Sequence, residues 1–514
     1  MLNVATFLDD SAIKYADKPA FTFMDTTLTF SQVHAAANQL ANGLIASGIK
    51  KGDKIALSCL NLPYFPIIYF GILKMGAVVV PLSVLLKEDE IQFHLENSEA
   101  KAYFCFEGTP DLPMGKMGYD AFNNSPKCTQ FFNIMGKPTD PSPFEGVKTL
   151  GALMHSMSPQ FDTLSTSAED TAIIVYTSGT TGQPKGAELT HSNLVMNAMV
   201  CQKFIHINSD DTQLVVLPLF HIFAMTVQMN LGVYQGAHSV LLPRFDAIDV
   251  YNLMVKHNVS VFAGVPTMYW GLINNLDESC DVNKINKHLR LAVSGGAALP
   301  LAVLDDFKNK FGLKILEGYG MSEGSPVVTF NQPDVGFKAG SIGTPIWGVK
   351  VKLVDAKGAE VAQGEKGELL YKGHNVMKGY YNRPKANAET ITDGWLHSGD
   401  IAIKDEDGFY FIVDRTKDMI IRGGLNVYPR QVEEVIIKHE AVSLVAVIGI
   451  HDERMGEEIK AFVVLNEGMS ITKDELKKWT KARLASYKYP RVIEYIDALP
   501  MSATGKILKK ELRS

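Results

Sequence analysis

The stretch IIVYTSGTTGQPKGAELTH, Ile173 to His191, decides how the rest of the chain is read. Ile173, Ile174, Val175 and Tyr176 form a short apolar run that predicts a buried strand. Thr190, followed by His191, Ser192 and Asn193, supplies N-cap chemistry for a helix. The segment between them is predicted as a loop joining strand to helix. Gly179 and Gly182 let backbone approach a bulky anion, Thr177, Ser178, Thr180 and Thr181 offer hydroxyls, and Lys185 brings a positive charge. These are the groups a polyphosphate needs. The spacing G-x-x-G-x-x-K-G departs from the P-loop pattern G-x-x-x-x-G-K-[ST], so an ordinary P-loop nucleotidase is a poor reading.

Outward from this stretch, apolar runs and amphipathic segments alternate. Val33, Ala36, Ala37, Leu40, Ala41 and Leu44 follow helical spacing between Ser31, a predicted cap, and Gly48, a predicted stop. Strands are predicted at 54–59, 78–82, 102–106, 214–217, 239–242, 259–263, 291–293 and 314–316, with helices between them. That rhythm implies α/β architecture with helix-covered, parallel-rich sheets. Residues 108–165, rich in Pro, Gly, Ser and Met, read as a long surface excursion with room for short helices. Beyond Gly340, short strands at 349–354, 367–372 and 409–413 with glycine turns imply an antiparallel subdomain. After Arg415 a small α+β unit of about one hundred residues follows. The expected division is a large domain 1–414, a hinge 415–417 and a small mobile C-terminal domain 418–514.

Composition bounds the function. The 514 residues are 46% hydrophobic and 21% charged, with net charge −6 and no basic stripe, which disfavours nucleic acid as a partner and points to small molecules. Five isolated cysteines without C-x-x-C spacing argue against a disulfide framework or a cysteine metal site, and fit a reducing, cytoplasmic setting. The first twenty residues carry Asp9, Asp10, Lys14 and Asp17 and lack a secretory apolar core. The apolar region 55–86 is interrupted by Asn61, Pro63, Pro66, Lys74 and Pro81, so it reads as core and not as a membrane span.

Several groups stand where predicted strands end, the ligand-binding end of a parallel sheet. Ser294, Gly295, Gly296, Ala297 and Ala298 could form a wall for a flat ring, or a plain strand-to-helix turn. In the segment from Glu317 to Glu323, Tyr319 between Gly318 and Gly320 could lie against a heterocycle, and Glu323 is a hard oxygen ligand suited to Mg²⁺. His221, between Phe220 and Phe223, fits either a satisfied core residue or a catalytic group. Asp400 in GWLHSGD could hold two ribose hydroxyls or sit in a surface turn. The charged run Asp414 to Asp418 suits a hinge or a solvated linker. Near the C-terminus, Thr504-Gly505-Lys506 would project one cation from a turn.

The motifs YTSGTTGQPKG, GYGMSEGSP, GWLHSGD, DRTKDMIIRGGLNVYP and TGK occur in one order along almost the whole chain. As a set they resemble the acyl-adenylate-forming superfamily, most closely the fatty-acyl-CoA synthetases, or long-chain fatty acid–CoA ligases. Departures are Ser398 where threonine is usual, His374 where proline is frequent, and Leu425 where a polar or aromatic residue often stands. None removes a reacting group. The resemblance implies a carboxylate attacking the α-phosphorus of ATP, with Mg²⁺, to give acyl-AMP and pyrophosphate. Coenzyme A then displaces AMP.

It further implies that Thr177, Ser178, Gly179, Thr180, Thr181, Gly182 and Lys185 hold phosphates and that Thr180 and Glu323 bind the metal. Ala297, Glu317, Gly318, Tyr319 and Ser322 would surround adenine and the α-phosphate, with Asp400 and Arg415 on the ribose. The catalytic set would be Lys506, Glu323, Lys185 and His221, the pivot Lys417, and the pantetheine channel wall Gly424. An acyl pocket over 220–229 and 261–268 would include Phe220, Phe223 and Val265. Its nearly apolar lining implies a hydrophobic monocarboxylate, a medium or long fatty acid, with an aryl acid of the hydroxycinnamate kind as the near alternative. A relative that delivers to a carrier protein is the other alternative. Monomer and homodimer both remain open, as does peripheral membrane contact.

Overall fold

The computed structural model describes residues 2–177, 183–277, 280–415, 417–423 and 425–513. Two large sheets lie in the first part of the chain. In the eight-stranded sheet the order is Gly379–Tyr380, Lys185–Thr190, Thr171–Thr177, Val78–Pro81, Lys54–Ser58, Ala100–Phe106, Gln130–Ile134 and Lys148–Thr149. From Thr171–Thr177 onward the neighbours are parallel, and the two strands at the other edge are antiparallel. The nine-stranded sheet is parallel through Ile315–Gly320, Leu291–Ser294, Val261–Gly264, Thr212–Val215, His238–Leu241 and Pro19–Phe23, and antiparallel strands finish both edges. Ile173 and Ile174 are essentially inaccessible, as a strand with apolar layers on both faces requires.

The loop of the opening stretch does not join a strand to a helix. Lys185–Thr190 is itself a strand, paired antiparallel to Thr171–Thr177 with Thr177 opposite Lys185. Thr190 then caps the helix His191–Ile205 in a reciprocal box with Asn193. Residues 178–182 lie outside the described residues, and the segments flanking them are antiparallel strands, so a strand and not a helix N-terminus follows them. A second correction concerns the helix Phe30–Ala46. Its cap is Thr29, not Ser31, because Thr29 and Gln32 stand at the capping-box spacing and exchange bonds of 3.3 and 2.9 Å. Its stop is the expected one: Ser47 is the C-cap and Gly48, at φ +86°, is the left-handed residue after it, with Gly48 N donating to the Ile45 carbonyl at 2.9 Å and Ile49 N to the Leu44 carbonyl at 3.1 Å.

Residues 108–165 hold short helices, as expected, at Met114–Asn123 and Leu150–Met154, but they are not wholly surface excursion, because the strand Gln130–Ile134 extends the eight-stranded sheet in parallel. Phe131 and Phe132 are buried there, so the βα rhythm persists although turn residues dilute its signal.

The antiparallel sheet beyond Gly340 runs Val349–Val354, Lys366–Gly373, Trp395–Lys404 and Ile391–Thr392, with Tyr410–Arg415 also on Trp395–Lys404. Its core is continuous with that of the two large sheets. The last part of the chain packs around its own clusters, one including Ile420, Val432, Val447, Ile459 and Leu476, the other Ala446, Ile448, Phe462 and Leu499. Its sheet runs Leu425–Val427, Ile420–Arg422, Gly456–Leu465 and Val442–Asp452, with Val492–Tyr495 parallel to Gly456–Leu465. No helix among the described residues is long and apolar enough to cross a membrane.

Candidate active site

Three adjacent parallel strands, Val261–Gly264, Leu291–Ser294 and Ile315–Gly320, end at one cleft. Gly295 and Gly296 continue the middle one. A Cβ on Gly295 would stand 3.2 Å from the Phe223 ring and 3.4 Å from the Gly318 carbonyl oxygen, so the backbone alone forms this wall. Gly296 has φ +81°, a left-handed conformation that favours glycine, and a Cβ there would lie 2.9 Å from Cε of Lys506. Ala297, next along, is exposed.

On the next strand, Glu317 is buried and its Oε1 accepts the Leu299 N–H at 3.1 Å. Its Oε2 is buried without a hydrogen-bond partner. Burial pushes the carboxyl up to about 7, against the pull of Arg430. A buried acceptor left open at a strand end suits an N–H donor on a ligand. Two residues on, the Tyr319 hydroxyl donates to Oδ2 of Asp400, and Arg415 Nε donates to Oδ1 at 3.1 Å. Sheet pairing makes this possible, since Asp400 and Arg415 are direct cross-strand partners. Asp400 is thus a nearly buried member of the long strand Trp395–Lys404, not a residue of a surface turn. Ser398 supports it, accepting the Asp400 N–H at 3.1 Å while donating to the Leu369 carbonyl at 2.6 Å.

Glu323 lies in the short 3-10 turn Ser322–Gly324 and is 5% exposed. Its Oε1 accepts the Tyr380 hydroxyl at 2.7 Å. The same tyrosine ring lies under the Lys185 ammonium, 4.5 Å from its centroid. Tyr380 therefore bridges the carboxylate and the lysine, because its two-residue strand pairs with Lys185–Thr190. Thr177 faces Lys185 across the hairpin, with Oγ1 donating to the Lys185 carbonyl at 3.4 Å. Ser178, Gly179, Thr180, Thr181 and Gly182 lie outside the described residues, and so does Gly424.

The tail turn enters this cleft. Loss of hydration, then the Arg415 guanidinium, brings the Lys506 ammonium down to about 8, while Asp400 and Glu323 act in the opposite sense. His221 is neighbour to the lysine. Burial and then Lys506 lower the imidazole to about 3, so it is neutral at pH 7, and its Nδ1 accepts the Phe223 N–H at 3.3 Å. Phe220 and Val265 are buried and Phe223 partly so. The segment after Phe223 is a π-helix, Ala224–Asn230, a wider winding often found at functional sites. Lys417 is exposed, and its ammonium is lowered by partial desolvation and then by Lys185 and Arg415.

Comparison with known proteins decides the family. The family described as AMP-binding enzyme matches residues 8–381, and the AMP-binding enzyme C-terminal domain matches 431–506. The chain belongs to the AMP-binding enzyme family. It is 35% identical to a long-chain-fatty-acid–CoA ligase of Bacillus subtilis over 99% of this chain and 93% of that protein. Among solved structures, the anthranilate CoA ligase AuaEII in complex with anthranoyl-AMP superposes with a TM-score of 0.90 at 28% identity, covering 99% of this chain and 96% of that one. ATP-bound MatB from Rhodopseudomonas palustris superposes equally well, with a TM-score of 0.90 at 29% identity over 100% and 98% of the two chains.

In this AMP-binding enzyme the structure brings Glu317, Gly318, Tyr319, Glu323, Asp400, Arg415 and Lys506 to one cleft, although they come from four separate stretches of chain. Two neighbours escaped the sequence reading. Tyr380 lies in GYYNRP, where an aromatic pair reads as packing, and only the strand pairing turns its hydroxyl onto Glu323. Thr267 follows Pro266 at a helix start, where a hydroxyl reads as local capping. Its Oγ1 instead donates to the Gly505 carbonyl at 2.9 Å.

Proposed function

We propose that this AMP-forming enzyme is an acid–thiol ligase for a hydrophobic monocarboxylic acid, a medium or long-chain fatty acid, which it activates with ATP and transfers to coenzyme A. The observation that carries the reading is the tail lysine, Lys506, delivered into a cleft that also holds the Asp400–Arg415–Tyr319 cluster, next to an apolar segment without a positive charge. The segments 220–229 and 261–268 contain no Lys or Arg, so a second carboxylate would be buried unpaired. The likeness to an anthranilate ligase keeps an aryl acid as the second reading, since Phe and Met walls accept both.

A carboxylate is already nucleophilic at pH 7, so the first step needs alignment and charge stabilisation but no general base. Asp400, held by Tyr319 and Arg415, would receive the ribose hydroxyls. The open Oε2 of Glu317 would accept an N–H of the adenine. Lys185 and the segment 178–182, including Thr180, would hold the outer phosphates, and Lys506 would face the charge growing on the α-phosphoryl oxygens. Mg²⁺ fits the donor set: Glu323 offers a buried hard carboxylate with one oxygen already fixed by Tyr380, and Thr180 would be its companion. When bound, the metal would neutralise phosphate charge. With one protein carboxylate as ligand, its other positions would be left to phosphate oxygens and water. Neutral His221 would border the acyl carboxylate, with Phe220, Phe223 and Val265 along the chain. We divide the protein into 1–414, a hinge at 415–417 with Lys417 as pivot, and 418–514, whose rotation would bring Gly424 to the pantetheine arm. We place the enzyme in the cytoplasm, as monomer or homodimer, with membrane contact limited to the surface.

The test is pyrophosphate release and thioester formation with Mg-ATP and acids from acetate through octanoate and palmitate to a cinnamate, with and without coenzyme A. A thioester peak at octanoate or palmitate is expected. A peak at the cinnamate would favour the aryl reading, and pyrophosphate without thioester would point to a carrier-protein acceptor. The pH profile has a predicted sign. Lys506 titrates near 8, so adenylation holds while the ammonium is charged and falls as pH rises through about 8. Thioester formation from preformed acyl-AMP lacks that limb, and stopped-flow measurement of the two halves separates them.

A further inference from the structure

We propose that the Thr267 hydroxyl is the latch that seats Lys506 for adenylation and is released for thioester formation. The proposal rests on the assignment of Lys506 to the first half-reaction. Thr267 lies in the first turn of the helix Pro266–Asn274, two residues after Val265 of the acyl-pocket segment. Its Oγ1 donates to the carbonyl of Gly505 at 2.9 Å, across 238 residues of sequence. That carbonyl belongs to the peptide group whose nitrogen is Lys506 N, so the bond holds the plane from which the lysine departs.

The tail turn is otherwise closed on itself. Ser502 N donates to the Lys506 carbonyl at 2.8 Å, Lys506 N donates to Ser502 Oγ at 3.1 Å, and the Ser502 and Thr504 hydroxyls lie 2.8 Å apart. Among the described residues, the Thr267 bond is the hydrogen bond that ties residues 500–507 to the chain before 415. A threonine in a first helical turn commonly serves its own helix, but this helix start has no side-chain cap. The hydroxyl is spent outward.

Close packing surrounds the bond. Gly505 has φ +76°, and a Cβ there would stand 2.9 Å from Thr267 Oγ1 and 3.0 Å from Val265 Cγ2. Val265 also lies 3.7 Å from the corresponding position on Gly296, the glycine that Lys506 passes. One corner, Val265 to Thr267, therefore touches the lysine turn on one side and continues into the acyl pocket on the other. An acid seated against Val265 would steady the corner that holds the lysine. The same weak tie can be broken when the turn leaves, which a tighter or ionic clamp would resist.

The experiment compares full-length T267V, which keeps the shape and removes the donor, with T267S, which keeps the donor, and uses K506A as control. One net hydrogen bond corresponds to a loss of roughly three- to tenfold. T267V is expected to slow pyrophosphate release by that factor while forming thioester from preformed acyl-AMP at or above the parent rate, and T267S is expected to adenylate normally. Parent-like adenylation by T267V beside an inactive K506A would overturn the latch alone. Equal loss in both halves, unrestored in T267S, would show a structural role and overturn it too. Normal adenylation by K506A would overturn the Lys506 assignment itself.

Discussion

Replacing Lys506 by alanine is expected to lower acyl-adenylate formation by roughly 10²- to 10³-fold, the usual effect of removing a positioned charge from a developing oxyanion. Thioester formation from preformed acyl-AMP should be nearly unchanged. The asymmetry follows from the geometry. The lysine reaches the cleft past Gly296, within the field of Asp400, Glu323 and Arg415, yet the turn that carries it is built from backbone and Ser502 bonds that survive the substitution. Single-turnover pyrophosphate release, run beside coenzyme A transfer from synthetic acyl-AMP, provides the check. A parallel fall in both rates would remove Lys506 from the adenylation step.

Replacing Asp400 by alanine is expected to raise the KM for ATP by roughly 10²-fold, because charge-assisted hydrogen bonds to buried groups are each worth about 1.5–3 kcal/mol. Asp400 is anchored by the Tyr319 hydroxyl and by Arg415 Nε, so its carboxylate is preorganised for a diol. Without it, the Tyr319 hydroxyl loses its acceptor and the exposed Arg415 turns to solvent. Asp400→Asn keeps the size and one carbonyl acceptor, so an intermediate loss is expected. ATP binding measured by calorimetry, with thermal unfolding as a control for folding, distinguishes a lost ligand contact from a collapsed strand. Unchanged ATP affinity in a folded Asp400→Ala protein would refute the ribose role.

Much of the architecture is legible in local patterns. The apolar run at Ile173, the spacing of Val33 to Leu44 and the turn residues at strand ends each report a period or a chain reversal within a few residues, and the parallel sheets follow from their alternation. The two missed strands share one cause, whereas the cap at Thr29 in place of Ser31 is a local matter of capping-box spacing. Whether Lys185–Thr190 is a strand depends on a partner, Thr171–Thr177, and on Gly379–Tyr380 at the outer edge, almost two hundred residues away. The strand Gln130–Ile134 was obscured for the same reason, since its neighbour Ala100–Phe106 supplies the pairing that the surrounding glycines and prolines hide.

The site divides along the same line. Taken alone, the sequence determined the chemical inventory: a hydroxyl-rich glycine loop with Lys185, carboxylates at 317, 323 and 400, a charged linker, and one lysine behind a glycine near the C-terminus. Residue types and short spacings suffice for that, because such loops need glycine and short polar side chains wherever they fold. Only the tertiary structure decided who meets whom. Sheet register puts Arg415 opposite Asp400, an edge strand carries Tyr380 under Lys185 and onto Glu323, and Thr267 receives the turn bearing Lys506. These contacts join residues up to 238 positions apart. They are set by the packing of whole sheets, a free energy summed over many apolar side chains, and no local period in the chain encodes it.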